Sequence, residues 1–172
     1  MASCFRPLLT VSRPMKFSGG VIHQLLLWEV HHNRPSDEMR FILGTHEVRF
    51  SKVEFCLITG LWFRVVPDMS RYVIMDNGQH HRYFGGKGEI SSVELRDVLR
   101  CGEFQQAYDS VMLCLIYMLN WILMGLDEGV KIPVWQLLLV DDLDAFDAFL
   151  WGAHMYSHSI YSFKHAFDGQ RE

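Results

Sequence analysis

The sequence predicts a mainly α-helical (α+β) fold, a compact helical domain with one small β-hairpin near residues 40–50. Its composition is that of a globular protein, since 49% of the 172 residues are hydrophobic and 21% are charged, outside the range of disordered chains. Over most of the chain, apolar residues recur every three or four positions, as on one face of a helix. Arg40–Phe50 instead places a Gly-Thr pair between two apolar arms, which indicates a hairpin.

The first predicted helix is Val21–Asn33, where apolar residues follow the helical spacing. Pro35 ends it, because a proline restricts the preceding residue and cannot continue the hydrogen-bond ladder. The residues before this helix contain Pro7, Pro14 and two adjacent glycines. We therefore expect an irregular N-terminal arm over residues 1–14.

The hairpin has a two-residue loop at Gly44–Thr45, and glycine in its first position is typical of a type II′ turn. On the second arm, Val48 and Phe50 alternate with Glu47 and Arg49. Because successive side chains of a strand point to opposite faces, this arm should have one dry face and one wet face.

Two short helices are predicted by capping boxes, in which a serine caps the helix and a glutamate three residues later reaches back to the cap. The pairs are Ser51 with Glu54 and Ser91 with Glu94. A glycine at the end of each helix supplies the left-handed residue that terminates it, so the first helix should span residues 52–59. The residues expected on their buried faces are Val53, Cys56 and Leu57 in the first helix, and Leu95, Val98 and Leu99 in the second.

Between these helices, Trp62–Gly88 is irregular, and we interpret it as a long loop with a short strand at Arg71–Met75. A helical stripe then runs from Phe104 to Ile122 and becomes apolar all round, which predicts a central buried helix. Its apolar part has 16 residues, fewer than the roughly 20 that a membrane span needs, so no membrane association is expected. Two C-terminal helices should follow, separated near Gly152.

The length of the chain favours one domain, which we place at residues 15–167 with a short tail at 168–172. Its four cysteines have no C-x-x-C spacing and do not suggest a disulfide framework. The N-terminal residues make a poor signal peptide. An intracellular, reducing compartment is therefore expected.

Charge is unevenly distributed along the chain. The net charge is −4, but residues 1–100 carry thirteen Lys and Arg against ten Asp and Glu, while residues 101–172 carry three against ten. The acidic total argues against non-specific nucleic-acid binding as the main task. The loop 64–87 is nevertheless basic and interleaved with aromatic residues, which suits phosphate and base contacts. Its candidate nucleic-acid contacts are Arg64, Arg71, Arg82 and Lys87.

No catalytic constellation emerges. Cys56 lies mid-helix among apolar residues, where a structural thiol is expected rather than a nucleophile. His154 and His158 stand four apart as zinc ligands can, but no H-E-x-x-H glutamate accompanies them. The cluster of Asp141, Asp142, Asp144 and Asp147 could hold Mg²⁺, although acids in a first helical turn are also stabilised by the helix dipole.

We therefore expect no catalytic residue, no cofactor, no metal and no small-molecule substrate. A metal-dependent hydrolase that uses the aspartates or the histidines remains the least favoured alternative.

Three stretches in fixed order carry a family resemblance that covers residues 15–165. They are "FILGTHEVRFSKVEFCLITGL", "VELRDVLR" and "LVDDLDAFDAFLWG". They resemble a plant domain of unknown function that lies upstream of ubiquitin-like-protein-specific (SUMO-type) cysteine protease domains in proteins derived from Mutator-like transposable elements. A looser likeness is to the plant mobile domain. Leu150 departs from the pattern, because the family more often has proline before the Trp-Gly pair.

The resemblance implies a nuclear, transposon-related origin and no catalytic activity for this segment. The protease activity of such proteins belongs to a separate downstream domain with a histidine, an acid, a glutamine and an Asp-Cys-Gly-like nucleophile region. None of Cys4, Cys56, Cys101 and Cys114 has that context. We therefore predict a non-catalytic interaction module whose partner is a protein. The alternative is a nucleic-acid-binding accessory domain that uses the loop 64–87.

Overall fold

A computed structural model describes residues 18–30, 37–61, 63 and 78–166 of the chain. These residues belong to two compact units. The hairpin unit comprises residues 1–65 and 150–172, and the helical unit comprises residues 66–149. The predicted fold class is confirmed, since helices predominate and the strands form two small antiparallel pairs.

The described elements are, in chain order, α1 (Gly19–Leu27), β1 (Met39–Leu43), β2 (His46–Phe50), α2 (Lys52–Thr59), α3 (Gln79–Phe84), β3 (Ile90–Ser91), α4 (Ser92–Cys101), α5 (Asp109–Tyr117), a π-helix (Met118–Leu123), β4 (Lys131–Ile132), α6 (Val134–Val140), α7 (Leu143–Ala148) and α8 (Trp151–Lys164).

The hairpin forms as predicted. Strands β1 and β2 pair antiparallel with Leu43 opposite His46, which leaves the two-residue loop Gly44–Thr45. Gly44 has φ +65° and Thr45 has a negative φ, the combination of signs that a type II′ turn requires.

The predicted first helix is wrong at its C-terminal end. Helix α1 stops at Leu27, and the chain then runs beside β1. The amide of Ile42 donates to the carbonyl of Trp28 at 3.1 Å, and the amide of Val30 donates to the carbonyl of Arg40 at 2.8 Å. Pairing with a neighbouring strand thus replaces the helical hydrogen bonds of residues that have helical periodicity.

The hairpin unit is centred on the ring of Tyr156 in α8. Its centroid lies 5.5 Å from that of Phe55, 5.8 Å from that of Phe63 and 6.2 Å from that of Phe50. The Tyr156 hydroxyl donates to the backbone carbonyl of Asp37. Burial, together with the nearby acidic side chains, raises the pKa of Tyr156 to about 12. This cluster packs α2, α8 and the hairpin against one another.

Helix α2 has the predicted limits and capping box. The Ser51 amide donates to Glu54 Oε2 at 2.7 Å, and Gly60 ends the helix with φ +70°. The predicted buried face is wrong, however. Phe55 is the buried residue of this helix, while Val53 and Leu57 are exposed and Cys56 is half-buried.

In the helical unit, the second capping box is confirmed, and Leu95 is fully buried as expected. Val98 and Leu99, which were expected on the same buried face, are only half-buried. A second strand pair was not predicted: Ile90 lies opposite Ile132 and Ser91 opposite Lys131. Strands of two residues have no periodicity from which to predict them. The loop interpretation is wrong for residues 79–84, which form α3, whereas the strand proposed at residues 71–75 lies outside the described residues.

The central helix is shorter than predicted, because α5 begins at Asp109 and continues as the π-helix. Leu113, Ile116 and Leu119 are fully buried, so the helix is central as predicted. The predicted stripe is wrong, however, because Val111 and Ile122, which belong to it, are 51% and 69% exposed. Asn120 Nδ2 donates to the Ile116 carbonyl at 2.8 Å and to Gln136 Oε1 at 2.7 Å. These bonds explain a buried amide within an otherwise apolar run.

The C-terminal helices also divide differently from the prediction. Residues 134–148 form α6 and α7 with a break at Asp141–Asp142, and Gly152 lies inside α8 rather than between two helices. Asp142 is the N-cap of α7 and accepts from the Ala145 amide at 3.0 Å. Among the described helices, none has the length and apolarity to cross a membrane.

Candidate interaction surface

The hairpin unit contains an apolar groove of about 320 Å³ between α1 and the dry face of the hairpin. Ten of the described residues line the groove; nine are apolar and one, Arg49, is charged. The apolar lining residues are Ile22, Leu25, Leu26, Met39, Phe41, Leu43, Val48, Phe50 and Phe163.

The groove follows from two periodicities. In β1 and β2 alternate residues share a face, which brings the apolar side chains of both strands together. In α1, Ile22, Leu25 and Leu26 share a face because residues three and four apart are neighbours on a helix. Within the described chain α1 has no buried residue. The helix therefore covers the hairpin only in part.

Apolar surface continues beyond the groove. A shallower depression of about 450 Å³ involves Leu25 and Trp28, whose side chain is 50% exposed. On α2, Leu57 and Ile58 are 79% and 74% exposed. This surface was not expected from the sequence, in which the apolar spacing of α2 predicts a face buried in the core.

The wet face of the hairpin carries alternating charges. Arg40 donates to Glu38 at 2.7 Å and to Glu47 at 2.6 Å. Arg49 lies opposite Arg40 in the register and reaches Glu54 at 3.6 Å and Glu38 at 4.0 Å. The longer distances and a half-exposed side chain leave Arg49 the more available of the two cations for a carboxylate from outside.

Of the four predicted nucleic-acid contacts, two are described by the structure, and both of these form ion pairs. Arg64 and Arg71 lie outside the described residues. Arg82 Nη2 lies 2.6 Å from Asp109 Oδ1, and the two side chains are 16% and 1% exposed. Lys87 is 61% exposed and lies 2.5 Å from Glu94 Oε1. The two described cations thus each have an acidic partner within the helical unit.

Asp109 organises a polar cluster that the sequence analysis did not identify. Besides Arg82, it accepts from the Tyr83 hydroxyl at 2.6 Å and from the Gln106 amide at 3.1 Å. Burial and the neighbouring Asp109 raise the pKa of Tyr83. Asp109 lies outside the apolar stripe between Phe104 and Ile122, so the sequence gives no sign that it is buried. Only the fold brings Arg82 close to it.

Asp141 differs from the other aspartates of the predicted cluster. It accepts from the Gln79 amide at 3.1 Å, and burial raises its pKa. Asp142 and Asp144 lie at the start of α7, where the helix dipole explains them. The aspartates therefore have separate structural surroundings rather than a shared site.

The two histidines of the possible zinc pair lie in α8. Burial lowers the pKa of His154, with a smaller contribution from His158, and burial also lowers the pKa of His158. Over the described part of the chain, no three His, Cys, Asp or Glu side chains are grouped as a metal site requires.

Comparison with known proteins bears on the family alone. No curated protein and no solved structure matches the chain. A family model described as a domain of unknown function (DUF1985) matches residues 26–162, which include the hairpin, both capping-box helices and most of α8. The chain belongs to this family.

Proposed function

We propose that the chain is a non-catalytic interaction domain of a transposon-derived nuclear protein of plants. Its groove binds an apolar peptide segment of a partner protein, and that segment carries an acidic residue. The observation that carries the proposal is the apolar groove of the hairpin unit. Arg49 adjoins this groove, and its side chain lies on the wet face of the hairpin near Glu54 and Glu38.

Exposed apolar surface supports a binding role. Large apolar side chains on a soluble domain cost solvation free energy, and contiguous patches of them mark interaction sites. The groove has the volume of a small ligand site, for which about 300–1,000 Å³ is usual. Next to the groove, the side chain of Trp28 is 50% exposed, so the apolar surface extends along α1.

The chemistry of the groove supports a partner segment of this kind. Apolar walls require apolar side chains, and a guanidinium offers five donors in a geometry that matches a carboxylate. The two carboxylates near Arg49 lie 3.6 and 4.0 Å away, longer than a strong charge-assisted hydrogen bond. A carboxylate on the bound segment would therefore add a bond at the edge of an apolar contact.

The origin and location rest on the family resemblance. The order of the three motif stretches supports a transposon-related nuclear protein of plants, in which catalysis belongs to a downstream protease domain. The surroundings of the cysteines support the absence of catalysis here. Cys56 is half-buried in α2, and the exposed Cys101 and Cys114 lack the nucleophile motif of such proteases.

Nucleic-acid binding through the loop 64–87 is the second candidate. It is supported by the density of cations and aromatic rings in that segment. Its support is weaker, because Arg82 already neutralises the buried Asp109. It predicts DNA binding that weakens as salt rises and when Arg71, Arg82 and Lys87 are replaced by alanine.

Selection from a library of displayed random peptides tests the proposal. We expect the enriched peptides to combine clustered apolar residues with an Asp or Glu. Leu25→Lys should abolish their binding, because it places a charge in the groove. Leu27→Lys is the matched control: it lies two positions along the same helix, is 56% exposed and does not line the groove.

Arg49→Gln should weaken binding of acidic peptides more than binding of their amide analogues. Failure to enrich any peptide class would contradict the proposal. So would equal binding to the Leu25 and Leu27 variants, provided that circular dichroism shows both to be folded.

A further inference from the structure

Among the described residues, strand β2 has a partner strand on one edge only. In an antiparallel pair, successive residues of a strand point their backbone groups alternately toward and away from the partner strand. The amide of Ile42 and the carbonyl of Arg40 point away from β2, since they bond Trp28 and Val30. Their opposite residues, Glu47 and Arg49, must therefore direct their backbone groups away from β1, along the outer edge of β2.

This outer edge carries no backbone hydrogen bond within the described parts of the chain. Residues 46–49 are all exposed, so this edge is accessible to another chain. Such an edge is a template for another strand, because each added strand satisfies the same donors and acceptors.

The side chains on this edge are complementary to a second copy of themselves. In a two-fold pairing centred on Val48, Glu47 lies opposite Arg49 of the second copy, and Arg49 lies opposite Glu47 of the second copy. Opposite charges directly across antiparallel strands are stabilising. The outward amides and carbonyls belong to the same two residues, Glu47 and Arg49. One register therefore produces both the four edge hydrogen bonds and the two ion pairs.

The same register also relieves a repulsion within the hairpin. Arg40 and Arg49 lie opposite each other in β1 and β2, and like charges at such positions are destabilising. A carboxylate of the second copy next to Arg49 would offset part of that repulsion. On the other face, Val48 would meet Val48 of the second copy, so that apolar side chains adjoin apolar side chains.

We propose that the chain associates with a second copy of itself through antiparallel pairing of β2 with β2, centred on Val48. The product is a four-stranded sheet in which the hairpin of each copy supplies two strands. Because the two-fold axis is perpendicular to the sheet, both apolar grooves lie on the same face. The inference goes beyond the proposed partner binding and does not depend on it.

The strands are short, so the association should be weak. Five residues per strand bury less surface than the roughly 1,600 Å² of a standard interface. Sedimentation equilibrium from about 10 μM to about 1 mM covers the relevant range of affinity. We expect a monomer–dimer equilibrium in the unaltered chain.

Charge swaps test the register. Glu47→Arg makes both opposed pairs Arg–Arg, and Arg49→Glu makes both of them Glu–Glu. Each variant alone should associate at least about tenfold more weakly. Mixed together, the two variants should form a heterodimer, because each Arg of one then faces a Glu of the other. The double variant, with both substitutions, should regain self-association.

A backbone variant tests the edge itself. Arg49→Pro removes an outward amide without affecting the β1 ladder, a position at which strands tolerate proline, and should abolish association in every background. Asp97→Arg, at an exposed site of α4, changes the charge by as much as Glu47→Arg does; it is the matched control for that swap and should have no effect.

Three results would overturn the inference. One is an unaltered chain that stays monomeric at about 1 mM. Another is an association that the two swaps leave unchanged. The third is a mixture of folded swap variants that does not form a heterodimer. Peptide binding by the groove is measured separately, so failure of the dimer and failure of partner binding are distinguishable.

Discussion

Helices α2 and α4 have the same local signals and opposite surroundings. Each begins with a serine–glutamate capping box and ends at a glycine with φ near +70°. Yet α4 buries Leu95 completely, whereas α2 leaves Leu57 79% exposed. Local sequence thus determines where a helix starts and stops, and packing by distant residues determines which of its faces is buried.

The same contrast extends to the two units. The helical unit buries polar groups and pairs them, as Asp109 with Arg82 and Asn120 with Gln136. Both units leave some large apolar side chains in solvent, such as Ile122 in the helical unit. In the hairpin unit these side chains adjoin an apolar groove and lie along α1, the dry face of the hairpin and α2. Exposed apolar surface is costly for a soluble domain and marks interaction sites. The contrast therefore supports the hairpin unit as the part that binds partners.

The largest effect should come from breaking the buried ion pair of the helical unit. Asp109→Ala leaves Arg82 without its main carboxylate in a mostly buried position, and removal of one partner of such a pair costs about 3–5 kcal/mol. We expect this loss in the free energy of unfolding measured with urea. Asp97→Ala, at an exposed site of α4, should change it by less than about 0.5 kcal/mol. Similar effects for the two variants would contradict the contrast.

Leucine deletions sharpen the comparison of the two helices. Leu95→Ala in α4 should cost about 2–5 kcal/mol, because it opens a cavity in a filled core. Leu57→Ala in α2 should cost less than about 0.5 kcal/mol, because its side chain already lies in solvent. Urea unfolding of both variants measures the difference. A large loss of unfolding free energy in Leu57→Ala would mean that the apolar face of α2 is buried after all.

The two N-caps, by contrast, should contribute equally to stability. Ser51→Ala and Ser91→Ala each remove the side-chain acceptor at a helix N-terminus, and such changes cost about 1 kcal/mol. Thermal unfolding of the two variants should give similar losses. A loss at only one of them would show that one capping box does not form in solution.

The smallest effect is a pH dependence shared by both caps. The hydrogen bonds from Ser51 lower the pKa of Glu54 to about 2, and those from Lys87 and Ser91 lower the pKa of Glu94 to about 2. A group whose pKa is lowered in the folded state stabilises it above the ordinary pKa of 4.5. That contribution is lost as the pH falls from 4.5 toward 2.

Glu54→Gln and Glu94→Gln should therefore each make stability less dependent on pH in this acidic window. Unfolding free energies measured across the window test this, with Glu103→Gln as an exposed control. An unchanged pH slope in both variants would count against the lowered pKa values.

The features that the sequence predicts correctly are those determined by residues close together in the chain. The hairpin turn and both capping boxes were predictable, because a few adjacent residues determine them. The end of α1 was not, since Trp28–Val30 has helical periodicity but pairs with β1. The exposed face of α2 and the Arg82–Asp109 pair were not predictable either, because both depend on residues far apart in the chain.

The groove itself was only half predictable. The dry face of β2 follows from the alternation of Val48 and Phe50, but its incomplete cover by α1 depends on tertiary packing. No sequence pattern distinguishes an apolar stripe that is buried from one that is left for a partner. The free edge of β2 is likewise a property of the sheet, not of the strand.

Chemical-shift mapping by NMR tests the central claim most directly. A selected peptide of apolar residues with one carboxylate would be titrated into isotopically labelled protein. The account predicts shifts at the amides of Leu25, Phe41 and Val48, with little change at Leu95 or Leu113 in the helical unit. Shifts concentrated in the helical unit, with the groove amides unchanged, would contradict it.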